Sequence, residues 1–453
     1  MYSSIKTINR PSVMASIPEL WVSMPSLMSF VHLAGRRFST YLLVVLISAC
    51  NQTENIANLD KTDILATKTL TDSPYGRDAE FSYPDFSGAF VVSTRTIVIS
   101  DPSRLETFEL SSNLARITAH RKIQVRFYYP STKFVLESSL SEQQLPVIAA
   151  PTWSYLIGHH ELQGKRLRFE NYRKAQWNIS ISKAIGKQQA SYPVLIFSHG
   201  YGYSAESYSA LSAELASRGF IVASINHTYG ANPVNFGLDS SDSNSLDLNN
   251  KDLDNQDLNN LIWAKPLIAN EIGTFLPIWS ADQMLVIDHL SFMNSDSDDS
   301  FFQKLQLANI GLLGHSYGGA ASFHTAAQDP RVKAVMNLDG TIFDFENKII
   351  TQPIALVLSE KHQLSFDFKN TVNDAFLIRL KNFKHASFSD HPLWWEWDHD
   401  DLDLGFGTVD AHRAVELTTN LVDQFFSHYL LNKQSAIFES NTIDNMDMLL
   451  LKK

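Results

Sequence analysis

Gly314-His315-Ser316-Tyr317-Gly318-Gly319-Ala320 is the stretch on which the fold turns. An apolar run, Ala308 to Leu313, precedes it and reads as a buried strand, and a helix-like stretch, Ala320 to Ala327, follows. Gly-x-Ser-x-Gly between a strand and a helix is the pattern of a nucleophile elbow. Such a turn must be sharp enough to lift the serine hydroxyl above the sheet. Side chains at Gly314 and Gly318 are expected to clash across it, and glycine tolerates strained backbone angles. A glycine-rich loop with a surface serine is the bland alternative, and the flanking strand and helix weigh against it.

Working outward, strand and helix patterns alternate. Pro193 to Phe197 is a short apolar run that leads into Ser198-His199-Gly200-Tyr201-Gly202. Helix-like Ala205 to Ser217 closes at Arg218-Gly219, and Phe220 to Ile225 is the next buried strand. This alternation predicts a parallel sheet with right-handed crossovers. Upstream, Ala89 to Val92, Thr94 to Ile99 and Ile123 to Tyr129 are β-prone, with Asp101-Pro102-Ser103 as a turn signal, and predict an antiparallel N-terminal edge. Trp279 to Met293 has helical spacing, and its Asp282 and Asp288 are expected at the surface or as caps. Further strands are expected at Val332 to Leu338, Ile354 to Leu358 and Ala375 to Leu380, with a packing helix at Ala411 to Leu431. Residues 131–190 show no clean period and are compatible with a helical cap or lid.

A serine hydroxyl needs a base to take its proton and a carboxylate to orient that base. Ser316 is the candidate nucleophile. His385, in the loop after the last core strand, is the candidate base, with His391 and His399 as rivals. Two carboxylates stand at strand ends, Asp339 and Glu360, and position alone does not choose between them. The amides of Tyr201 and Tyr317 are placed to form an oxyanion hole, while His199 reads as structural rather than as a base. Each such donor is typically worth about 3 kcal/mol in the transition state. This chemistry calls for no metal and no organic cofactor.

The chain of 453 residues has 44% hydrophobic and 19% charged residues, so most of it can bury a core. A net charge of -11 argues against a nucleic-acid partner. With Cys50 the only cysteine, no intrachain disulfide can form. Arg36-Arg37, the apolar run Tyr41 to Ile47 and Ser48-Ala49-Cys50 read as an export signal too short to span a bilayer. Ile47-Ser48-Ala49-Cys50 resembles a bacterial lipobox, which implies lipidation at Cys50 and a membrane anchor. Asn51 after it points to an outer-membrane address. Met28 would give a leader of ordinary length, so residues 1–27 are read as a miscalled start within a leader of 1–49. Residues 50–87 read as a polar tether, 88–432 as the catalytic domain and 433–453 as a loosely held tail. Residues 238–260, with their Asp-Leu repeats, are a low-complexity, solvated insertion that lacks the glycine and terminal glutamate of a calcium loop.

Phe197-Ser198-His199-Gly200, Leu215-Ala216-Ser217-Arg218-Gly219-Phe220, the elbow itself, Leu338-Asp339-Gly340 and His385 with Ser387-Phe388-Ser389-Asp390 together resemble the plasma-type platelet-activating-factor acetylhydrolases and their bacterial relatives. Thr94-Arg95-Thr96 and Phe127-Tyr128-Tyr129-Pro130 extend the resemblance, which spans roughly residues 88–432 in order. It implies an α/β-hydrolase fold and hydrolysis of carboxylic esters, including short or oxidised sn-2 acyl chains on phospholipids. It also implies Ser316, His385 and Asp339 as nucleophile, base and acid, which decides against Glu360 by resemblance. The competing readings are a general lipase or polyester hydrolase and a non-catalytic surface-binding lipoprotein. The insertion at 238–260 and Trp394-Trp395-Glu396-Trp397-Asp398-His399-Asp400-Asp401 depart from the family pattern. The tryptophan run reads as a pocket wall in preference to a lipid-interface element, because its acids disfavour anionic bilayers.

Overall fold

A computed structural model describes residues 83–110, 115–131, 179–180, 184–231, 234–235, 261–262, 273–342, 345, 348–363, 366, 368–396, 406–439 and 448–452. The leader, Cys50, most of the tether, the insertion at 238–260 and the run Trp397 to Asp401 lie outside the described residues, as does nearly all of the candidate lid. Among the described residues, no helix is long and apolar enough to cross a membrane.

Strands β1 (Val91–Leu110), β2 (Ala115–Ser131), β3 (Ile179–Ser180), β4 (Tyr192–Ser198) and β5 (Ile221–Asn226) come first. The short β6 (Val234–Asn235) and β7 (Leu261–Ile262) pair antiparallel and bring together the two ends of the segment that carries the insertion. Then come β8 (Leu305–His315), β9 (Val332–Leu338), β10 (Ile354–Ser359), β11 (Ala375–Leu380) and β12 (Met448–Lys452). The helices are α1 (Ser209–Ser217), α2 (Leu276–Ser295), α3 (Tyr317–Ala326), α4 (His391–Glu396), α5 (Ala411–Leu431) and α6 (Ala436–Glu439).

All strands but β6 and β7 form one sheet in the order β12-β11-β10-β9-β8-β4-β5-β2-β1-β3. From β11 through β5 every neighbour is parallel, whereas β2 pairs antiparallel with both β5 and β1. The expected parallel centre and antiparallel N-terminal edge are therefore present. The chain leaves β4 toward β5 on one side and later returns to its other side as β8. Carboxyl ends of strands at such a switch point form the crevice where sheets of this kind bind ligands.

Alternation along the strands feeds two cores. Leu195, Phe197, Leu313 and Val357 face α1 and α5, where Leu211, Leu215, Phe425 and Phe426 meet them. Val194, Ile196, Leu312 and Leu356 face the other way, onto Ile287 and Leu290 of α2 and Phe323 of α3. Side chains two apart in a strand share a face, so one apolar run supplies both layers. The long α5 is defined at both ends. The Asp410 carboxylate accepts the Arg413 N–H at 2.8 Å, and Asn432 adopts the left-handed conformation that stops the helix.

Three expectations are corrected. Asp101-Pro102-Ser103 does not separate two strands. It is a bulge inside β1, where Asp101 pairs with Arg121 and Leu105 pairs with His120. Of the segment after Asn432, expected as a loosely held tail, the described residues are anchored, since Phe438 is buried against Phe376 and Phe425 and β12 pairs antiparallel with β11. Asp282 is not a surface group. It is fully buried, and Arg121 grips it through Nε and Nη2 at 3.0 and 2.5 Å while Arg104, swung out by the bulge, reaches it at 2.9 Å. Asp288 does lie at the surface, paired with Arg331 at 2.5 Å.

Burial would raise the Asp282 carboxyl, but the Arg121 charge and the hydrogen bonds from His227 and Arg121 hold it well below the usual carboxylate range. Its folded-state value is thus depressed. The stability it contributes is present above the unfolded value of roughly 4 and is lost as pH falls below that. Removing one partner of a buried ion pair strands the other charges, so Asp282→Ala should cost about 3–5 kcal/mol. Urea unfolding at neutral pH should show a clearly lower midpoint, and an unchanged midpoint would refute the account.

Candidate active site

β8 ends at His315 and α3 begins at Tyr317, so the whole change of direction falls on Ser316, whose φ of 54° and ψ of −121° lie outside the ordinary regions for an L-residue. Strain of this kind costs on the order of 1–3 kcal/mol and persists only where the surroundings enforce it. Here the Ser316 N–H donates to Leu338 O at 2.8 Å, and the Ser316 carbonyl accepts from Ala320 N at 3.1 Å. The glycines act differently from the sequence expectation, for neither Gly314 nor Gly318 takes a positive φ. Both provide space. A Cβ on Gly314 would lie 2.3 Å from the Gly318 carbonyl carbon, across the turn as expected. One on Gly318 would lie 2.2 Å from Ser198 O, so that glycine serves the close approach of α3 to the end of β4.

The structure brings three of the candidate side chains into one line. Ser316 Oγ lies 2.9 Å from His385 Nε2, and His385 Nδ1 lies 2.7 Å from Asp339 Oδ2. A carboxylate only accepts, so Nδ1 carries the hydrogen and Nε2 presents its lone pair to the serine hydroxyl. The Asp339 side chain is 1% exposed and that of His385 is 27% exposed, so the acid is sealed while the base meets the solvent side. Asp339 also has a positive φ, 53°, which turns its carboxylate from the end of β9 toward the β10 loop. There Oδ1 accepts from Ser359 N at 2.7 Å and from His362 Nδ1 at 2.9 Å. Burial works to raise the Asp339 carboxyl. The hydrogen bonds from His362 and His385, with their charges, outweigh it and hold the group far below the usual range.

The other candidates go elsewhere. Glu360 is exposed, and its carboxylate accepts the Asn382 N–H at 2.7 Å. His391 stacks on Tyr203 with ring centroids 4.6 Å apart. His399 lies outside the described residues. Trp394, Trp395 and Glu396 fall in α4, and Trp397 to Asp401 lie outside the described residues.

Gly200 sits directly over the elbow, where a Cβ would come 3.3 Å from Ser316 Cβ and 3.1 Å from His315 Nδ1. The next peptide carries the Tyr201 N–H, and its orientation is set by a buried polar chain that position in the sequence did not reveal. His199 Nδ1–H donates to Gly200 O at 2.7 Å, which points the Tyr201 N–H of the same peptide the opposite way. His199 Nε2 in turn accepts the His227 N–H at 3.2 Å, fixing the tautomer. Burial and the neighbouring His227 push His199 down to about 3, so it stays neutral. It is structural, as read from the sequence. His227 is held by Asp282 Oδ2 at 2.8 Å on Nδ1 and by Ser198 Oγ at 2.9 Å on Nε2. Ser198, His227 and Asp282 repeat the order of the exposed relay, but all three are fully buried and serve as a scaffold.

Tyr317 opens α3, so its N–H points back along the helix axis toward the elbow, at the positive end of the helix dipole. The rings of Tyr201 and Tyr317 meet edge to face at 5.6 Å, and both pack on Trp279, at 6.0 and 5.0 Å.

One more set of bonds ties the glycine loop to the base. Gly200 N–H donates to Tyr208 Oη at 3.2 Å, Tyr208 O–H donates to His315 Nδ1 at 2.7 Å, and His315 Nε2–H donates to the His385 carbonyl at 2.9 Å. Burial, then the nearby His385 charge, holds His315 well below its ordinary value, so it remains a neutral bridge. The base loop is also pinned by Asp390, whose carboxylate accepts the Ala210 N–H at 3.0 Å at the start of α1 and which burial pushes up to about 7.

The platelet-activating factor acetylhydrolase of Gallus gallus is 26% identical over 259 residues, 50% of this chain and 59% of that one. That of Bos taurus is 26% identical over 341 residues, 68% of this chain and 71% of that one. The chain thus spans less than two thirds of the Gallus gallus protein. A ferulic acid esterase from Streptomyces cinnamoneus superposes with a TM-score of 0.61 over 82% of this chain and all of that one, at 21% identity, which supports the α/β-hydrolase fold. The sequence profile of "Platelet-activating factor acetylhydrolase, isoform II" matches residues 80–249 and 288–447, well over half of the chain. The chain has the α/β-hydrolase fold and belongs to the platelet-activating factor acetylhydrolase, isoform II, family.

Proposed function

We propose that this protein is a serine hydrolase of carboxylic esters that works through an acyl-enzyme on short or oxidised acyl chains of phospholipids. The observation that carries the reading is the line from Ser316 Oγ through His385 to the sealed carboxylate of Asp339, at 2.9 and 2.7 Å. Ser316 Oγ attacks the ester carbonyl carbon while its proton passes to His385 Nε2. The imidazolium so formed is stabilised by Asp339, which keeps the Nδ1 proton on His385. The carbonyl oxygen becomes an oxyanion, received by the Tyr201 and Tyr317 amides. Collapse expels the alcohol, which takes the proton from Nε2 and leaves an ester on Ser316. Water repeats the sequence with His385 as base, releasing the acid and restoring the serine.

The substrate class follows the family, whose named relatives are platelet-activating factor acetylhydrolases. The aromatic packing supports a short acyl group. Both proposed oxyanion donors carry tyrosine rings, and these pack against Trp279 and each other. Export and an outer-membrane lipid anchor at Cys50 are part of the proposal and rest on the lipobox-like Ile47-Ser48-Ala49-Cys50.

Ser316→Ala should abolish p-nitrophenyl acetate hydrolysis and fluorophosphonate labelling. In the same series Asp339→Asn should lose several orders of magnitude in kcat, as expected for the carboxylate of such a relay, while Glu360→Gln stays near wild type. Undiminished turnover in Ser316→Ala, or a larger loss in Glu360→Gln, would reject the assignment. Across p-nitrophenyl esters and sn-2 acyl phospholipids, kcat/KM should fall roughly tenfold or more between acetyl and long chains. A flat or rising series would favour a general lipase or polyester hydrolase. Mass spectrometry of the mature protein should find a lipidated N-terminal Cys50, and an unmodified Cys50 would remove the anchor.

A further inference from the structure

Asp339 faces two imidazoles, and the proposed mechanism uses one. Oδ2 is taken by His385 Nδ1 at 2.7 Å, and Oδ1 is shared by His362 Nδ1 at 2.9 Å and Ser359 N at 2.7 Å. His362 comes from the turn after β10, where its N–H donates to Ser359 O at 3.2 Å. Arg379 of β11 fixes that turn, because Nη1 reaches the carbonyls of Ser359, Glu360 and His362 at 2.9, 3.1 and 2.7 Å. The His362 ring is therefore delivered to the carboxylate by a braced turn. Its side chain is 13% exposed, so solvent protons can reach it while Asp339 itself is sealed.

The His362 Nδ1–H holds Oδ1 and so sets the rotation of the carboxylate, keeping Oδ2 on the line to His385 Nδ1.

We propose that His362 is a positioning residue for the reaction, holding the Asp339 carboxylate so that Oδ2 stays on the line to His385 Nδ1. This rests on the assignment of Ser316, His385 and Asp339 given above. The nearest bland reading is that His362 only secures the β10 turn. Backbone bonds from Arg379 already do that, and a turn of this kind has no need of a side chain on the catalytic carboxylate.

The test uses the full chain with p-nitrophenyl acetate and compares wild type, His362→Ala and His362→Asn, with fluorophosphonate labelling of Ser316 and thermal unfolding in parallel. Asparagine can donate an N–H from nearly the same place. His362→Ala should lose on the order of tenfold in kcat with KM little changed, and its labelling rate should fall in step. His362→Asn should recover most of that loss. The proposal is overturned if folded His362→Ala keeps more than half of kcat or if His362→Asn fails to restore the loss. Full activity in His385→Ala or Ser316→Ala would reject the relay itself, which separates that failure from failure of the His362 role.

Discussion

A single residue held in an unfavourable backbone conformation organises this protein. Ser316 joins β8 to α3 at φ 54° and ψ −121°, and no local preference of serine supports that geometry. It exists because its surroundings leave no alternative. The Ser316 N–H is committed to β9 through Leu338 O, and α3 is drawn so close to β4 that only glycine fits at position 318. Gly340 completes the enclosure, since a Cβ there would lie 2.2 Å from Ser316 O. The sheet therefore stores the strain, and the hydroxyl is delivered above the crevice between β4 and β8.

Around that point the buried polar groups form scaffolds rather than isolated pairs. Arg121, Asp282, His227 and His199 run from the antiparallel edge to the Gly200–Tyr201 peptide. Tyr208 and His315 run from Gly200 to the His385 carbonyl. Buried polar groups are costly unless every one is matched, so a satisfied chain of them has one good arrangement and resists displacement. That rigidity suits a site whose donors must be aimed before charge develops. The histidines of these chains are kept neutral by burial, which leaves them fixed in tautomer, whereas His385 lies on the more exposed side.

Much of this was legible along the chain where the signal is local. The elbow announced itself because glycines, serine and flanking periodicities fall within a few residues of one another. The parallel centre followed from strand-helix alternation, and α5 from the helical period of Ala411 to Leu431. Asp282 was misread because its spacing in α2 fits a surface position, whereas Arg121, its partner, lies 161 residues away. The bulge at Asp101 carried a turn signal because proline and aspartate mark turns and bulges alike. The strand β12 was missed because its partner β11 lies far upstream across α5.

By itself, the sequence determined where the central parallel strands and the long helices lie and which serine stands on the sharp turn. These depend on spacing within one element, where the periods of 2 and 3.6 residues are written directly into the order of apolar side chains. The choice of Asp339 over Glu360 rested on resemblance until the tertiary structure brought Asp339 to His385, and only the tertiary structure decided that Asp339 also holds His362 and how the Gly200–Tyr201 peptide is turned. Those facts depend on strand order and on a positive φ at Asp339, which turn side chains from distant segments toward one point. Asp339 and Glu360 stand equally well at strand ends in one dimension. In three dimensions one is sealed behind the base and the other lies at the surface.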